Sequence, residues 1–120
     1  MEFKMNKNII IYVQNLLGIG HLKRISLICK ELTKQDLEVT VISGGKKISE
    51  IDFGPVKFIQ LPIIKALNAD FSILVDDQGK LIDDNLKIKR KKIIIDTLND
   101  IKPKILITEM FPFGRKKMDF

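Results

Sequence analysis

At 120 residues the chain is long enough for one domain, or part of one, with a real core, and short for a two-domain enzyme. Hydrophobic residues make up 45% and charged residues 30%, an ordinary globular mix, and no apolar run approaches the roughly 20 residues of a membrane span. The net charge of +6 raises nucleic acid as a partner, but only Arg24, Arg90 and Arg115 among the 21 basic residues are arginines suited to planar bidentate contacts, which argues against it.

The opening "MEFKMNKN" precedes an apolar run too short and too β-branched for a signal peptide, and no small-residue cleavage site follows. A cytoplasmic, reducing location is the expectation. The single cysteine, Cys29, has no partner for an internal disulfide or a cysteine metal site, and it falls in an apolar helical stripe, where a small core residue is expected.

Asn8 to Val13, "NIIIYV", is the first predicted strand, continuously apolar as a strand buried on both faces should be. From His21 to about Gln35, Leu22, Ile25, Ile28, Cys29 and Leu32 recur at steps of three and four and form one stripe of an amphipathic helix. Leu37 to Ile42 is the second strand, closed by Ser43, Gly44 and Gly45, a turn cluster whose glycines can take positive φ. Val56 to Leu61 is a third strand after the Gly54-Pro55 break. The stretch from Leu61 to Asp84, with Pro62 and the turn "DDQG", reads as a long connection with at most short elements.

A second helix is predicted from about Asp84 to Ile101, with Leu86, Ile94, Leu98 and Ile101 buried, ended by Pro103. Its basic run "KIKRKK", Lys87 to Lys92, reads as a solvated face, with an anionic lipid surface or nucleic acid as alternatives. Lys104 to Thr108 is the fourth strand and runs into "EMFPFGR". Strands separated by helices predict βαβ units and a parallel sheet, and the missing helix after the fourth strand predicts a truncated chain.

The stretch "LLGIGHLKR" at the first strand-to-helix turn carries the chemistry worth testing. A dinucleotide-binding turn needs a third glycine where Lys23 stands, and an acid at the end of the second strand where Ser43 and Gly44 stand. A phosphate-binding P-loop needs Gly-Lys-Ser/Thr, which occurs nowhere. What survives is a glycine turn that lets backbone N–H groups approach a ligand, feeding a helix N-terminus that favours an anion. His21, the only histidine, sits in that first turn and has the only side chain whose ordinary pKa suits proton transfer near neutrality. The equal alternative is a capping histidine beside glycines needed only for tight packing.

The blocks "IYVQNLLGIGHLKR", "EVTVISGG", "FSILVDDQGKLIDD" and "PKILITEMFPFGR", in that order, resemble a family of predicted bacterial glycosyltransferases. That family is related to the GT-B enzyme that adds N-acetylglucosamine to the lipid-linked peptidoglycan precursor. The resemblance covers nearly the whole chain and implies the N-terminal, acceptor-side Rossmann-like half of a GT-B fold. It implies His21 as general base toward an acceptor hydroxyl, with Glu109 orienting it or holding that hydroxyl. Gly18, Gly20, Ser43, Gly44 and Arg115 are the candidate substrate contacts, with Arg115 facing a phosphate. The bland alternative has Phe111 and Phe113 plugging the core and Glu109 paired with Arg115.

The implied partners are a nucleotide-sugar donor, a hydroxyl acceptor of lipid-linked or other type, and a C-terminal donor-binding domain in cis or trans. No metal and no cofactor is implied, and peripheral contact with the inner face of the membrane stays open. The turn departs from the peptidoglycan enzyme in lacking the adjacent glycine pair before histidine, so contacts of that extra glycine do not transfer. Without a donor half the chain is not expected to catalyse transfer alone. The competing reading is a non-catalytic binding module or a subunit that complements a separate donor-binding chain.

Overall fold

A computed structural model describes residues 6–14, 20–67 and 73–109, His21 by its backbone alone. The chain forms β1 (Asn8–Val13), α1 (Gly20–Lys34), β2 (Glu38–Ser43), β3 (Lys57–Gln60), β4 (Lys65–Ala66), β5 (Leu74–Val75), α2 (Asp84–Ile101) and β6 (Ile105–Glu109). Four strands make one parallel sheet in the order β3-β2-β1-β6, while β4 and β5 pair antiparallel as a small separate ribbon. This is an α/β, Rossmann-like arrangement.

The alternation of β1 assigns its two faces. Ile9, Ile11 and Val13 pack with Leu22, Ile25 and Cys29 of α1 and with Val39 and Val41 of β2. Ile10 packs on the opposite face with Ile42 and Leu61, against Ile93, Ile94, Leu98 and Ile101 of α2. The two helices therefore cover opposite faces, and the central strands are buried on both sides, which is why they read as unbroken apolar runs. Each fully buried aliphatic side chain adds about 1.5–3 kcal/mol of transfer free energy, so the two layers dominate the stability.

Helix α2 starts where Asp83 can cap it. The Asp83 carboxylate accepts the Leu86 N–H at 2.8 Å, one of the four amides that a helix start leaves without an internal partner. It ends at Lys102, which is left-handed at φ 51° and donates its N–H to Leu98 O at 2.9 Å before Pro103 stops continuation. Among its described residues the long connection holds only β4, β5 and a bridge between Val75 and Leu81, in keeping with its turn residues.

Two expectations need correction. Within the basic run, Arg90 is fully buried while Lys89, Lys91 and Lys92 are exposed, so the run is not one solvated face. Positive φ occurs at Gly54 and Gly79, not at Gly44 or Gly45, so the glycine at position 44 has another cause.

Cys29 is fully buried, and burial pushes its thiol up to about 11. The folded chain is therefore expected to resist a thiol reagent at about pH 8 and to react fully once denatured. Prompt labelling of the native chain would contradict the core assignment.

Candidate functional site

Parallel register brings the strand ends to one level. Val13, the last residue of β1, lies opposite Ser43 of β2 and Glu109 of β6, and Ser43 lies opposite Gln60 of β3. In open α/β sheets this carboxyl edge is where ligands bind. The chain leaves β1 here, and α1 begins at Gly20, so the backbone of Gly20 and His21 forms the helix start beside the edge.

Of the candidate residues, Gly20, the His21 backbone, Ser43, Gly44 and Glu109 are brought to this edge. Gly18, the His21 side chain, Arg115, Phe111 and Phe113 lie outside the described residues. Gly20 is exposed, and a Cβ built on it would meet nothing within 4 Å. The Glu109 carboxylate forms an ion pair with Arg24, one turn into α1, a partner that the sequence reading did not consider. That contact ties β6 to the first turns of α1.

Ser43 and Gly44 are engaged inside the edge. Ser43 is 1% exposed, and its Oγ donates to Gly45 O at 3.3 Å. The Gly44 N–H donates to Val13 O at 2.9 Å, and its carbonyl accepts from Ile64 N at 3.1 Å. The Gln60 carboxamide donates to Gly45 O at 2.7 Å and Ser43 O at 3.2 Å, which draws the end of β3 to the turn after β2.

Beneath them lies Arg90, delivered from α2. Its Nη1 donates to Gly44 O at 3.0 Å and to Pro62 O, and its Nη2 donates to Gln14 Oε1 at 2.6 Å and to the Tyr12 hydroxyl at 3.2 Å. Gln14, also fully buried, turns its amide to Ile64 O at 3.0 Å. Burial lowers the Arg90 pKa, with Tyr12 opposing, and raises the Tyr12 pKa, with Arg90 opposing. Because an arginine starts so far above neutrality, the guanidinium remains a cation and the phenol stays neutral.

This buried cluster was missed from sequence. Its signal was present, since Leu86, Arg90, Ile94 and Leu98 recur every four residues on the inward stripe of α2. In a chain with three arginines, one inside an apolar stripe merits separate treatment from the lysines beside it.

Among the described residues no group of three or more His, Cys, Asp or Glu side chains is placed to hold a metal ion. A hollow of about 460 Å³ lies at the other end of the sheet, lined by Asn8, Thr33, Asp36, Glu38 and Lys57 among others. It sits at the amino ends of β1 and β2, away from the edge that the candidate residues share. Among the described residues no helix is long and apolar enough to cross a membrane. No protein-family model, curated protein or solved structure matches the chain.

Proposed function

We propose that this chain is the acceptor-side half of a glycosyltransferase that uses a nucleotide-activated sugar. The observation that carries the reading is the meeting of the α1 start, Ser43 and Glu109 at the carboxyl edge of a Rossmann-like parallel sheet. The sequence blocks that resemble GT-B glycosyltransferases supply the reaction class. His21 takes the proton of an acceptor hydroxyl as its oxygen attacks the anomeric carbon, and the nucleoside diphosphate leaves. Glu109 supports that step from β6, and Gly18, Gly20 and Arg115 contact substrate. A donor-binding domain, in cis or in trans, completes the cleft.

Two measurements test it. Calorimetric titration of the purified chain should detect a polyprenyl-diphosphate-linked sugar acceptor and no more than weak binding of nucleotide sugars. In the enzyme completed by its donor domain, His21→Ala should lower kcat by roughly 10²–10⁴-fold, the range for loss of a general base. Transfer by the 120-residue chain alone would sink the half-site reading, and an unchanged kcat would remove His21 as base. Acceptor binding without any completing domain would leave the alternative of a non-catalytic binding module.

A second reading concerns the outer face of α2. Ile88 and Ile95, seven residues apart, are 64% and 48% exposed, with Lys89, Lys91 and Lys92 exposed around them. Apolar residues set among lysines suit the surface of an anionic bilayer, where each lysine adds about 1 kcal/mol. The chain should co-sediment with phosphatidylglycerol vesicles, weakly or not at all with phosphatidylcholine, and less as salt rises. Equal binding to both lipids would remove this reading.

A further inference from the structure

Arg90 is the only charged residue among the described residues that is buried. Its helix has other anchors: Ile93, Ile94, Leu98 and Ile101 pack on the sheet, and Asp83 caps the start. A buried guanidinium also carries a large desolvation cost, and apolar side chains that replace the guanidinium together with its polar partners are often equally stable in such a place. Anchoring α2 is therefore a weak reason for an arginine here.

What the guanidinium adds is direction. Its planar fork fixes the angles between its donors, which a lysine ammonium cannot do. Those donors reach Gln14 just after β1, Gly44 just after β2 and Pro62 after β3. Three separate strand ends are thus referred to one rigid plane. The fit is close: a Cβ on Gly44 would lie 1.9 Å from Gln14 Oε1 and 2.6 Å from Arg90 Nη2.

We infer that Arg90 is a positioning residue of the carboxyl edge, a clasp by which α2 holds the ends of β1 and β2 and the segment after β3 as one wall. Its meaning for function rests on the reading of that edge as the ligand site. Its test requires no ligand, so the two can fail separately: absence of acceptor binding would count against the glycosyltransferase reading and leave the clasp standing.

The test is amide hydrogen exchange by NMR on the full 120-residue chain, comparing Arg90→Lys with the parent. Arg90→Lys keeps the charge and the stem and loses the fork. The amides of Gly44, Leu61 and Ile64 donate across the wall to Val13 O, Ser43 O and Gly44 O. Those three should exchange roughly tenfold faster, beyond any change at Ile11 and Val41 in the strand centres. A residue that merely stabilised the fold would change all five amides by one common factor, and that result would overturn the clasp. Tyr12→Phe removes the hydroxyl that accepts from Arg90 Nη2 and donates to Gln14 Oε1 at 3.3 Å, and should give the same pattern at smaller amplitude. Should Arg90→Lys fail to fold, Tyr12→Phe decides, and an unchanged ratio between wall and centre overturns the inference.

Discussion

Arg90→Met is expected to lower the stability of the chain by about 2–4 kcal/mol, read as a lower urea midpoint at unchanged slope. Methionine replaces much of the aliphatic stem, so the cavity is small and the loss comes from the hydrogen bonds. Pro62 O loses a charge-assisted donor, and leaving a buried acceptor unsatisfied costs about 1–3 kcal/mol, while Gln14 Oε1 loses its charged donor and keeps the Tyr12 hydroxyl at 3.3 Å. Gly44 O keeps the Ile64 N–H and loses less. Relief of the desolvation of the guanidinium offsets part of the sum, which is why the expected value lies below a simple total. Removing both polar partners, Arg90→Met with Gln14→Leu, should cost less than the two single changes added together, because they share one bond. An unchanged or raised midpoint for Arg90→Met would show that the apolar replacement is as good as the polar network.

Local chemistry explains how much of this fold could be read without coordinates. The bounds of β1 and α2 follow from signals within a few residues: a buried apolar run in one case, and Asp83 and Pro103 in the other. The strand ends β2, β3 and β6 fall within a residue or so of their predicted positions, and β6 runs on to Glu109. The edge shared by the α1 start, Ser43 and Glu109 was legible as well, because parallel strands joined by helices must place their carboxyl ends together.

The wall beneath that edge was not legible, for a reason visible in its spacing. Arg90 is 78, 76, 46 and 28 residues from Tyr12, Gln14, Gly44 and Pro62, so no local pattern links them. Lysines on both sides disguised its helical phase. Glu109 shows the same limit, since its described partner Arg24 lies 85 residues away, whereas Arg115 follows it closely in sequence. Ile105 and Leu106 of β6, the last strand in the sheet order, are about half exposed among the described residues.

Two glycines at the same edge give the second large expectation, and they separate two reasons for having a glycine. Gly44→Ala should destabilise the chain by about 1–3 kcal/mol, as overpacking does, because the new Cβ meets two buried and hydrogen-bonded side chains. The gain of about 0.4–1 kcal/mol from a stiffer unfolded chain is too small to reverse the sign. At Gly20 the balance runs the other way. Its φ is not positive, a Cβ there meets nothing within 4 Å, and alanine favours helix over glycine by about 0.8–1 kcal/mol in a helix interior, less at a helix start. Gly20→Ala should therefore leave the thermal midpoint unchanged or raise it. If the α1 start receives substrate, the same substitution in the completed enzyme should lower turnover with no loss of fold, because among the described residues the methyl group meets no neighbour. A Gly20→Ala enzyme that is both stable and fully active would detach this glycine from the site, while Gly44 would keep its packing role either way.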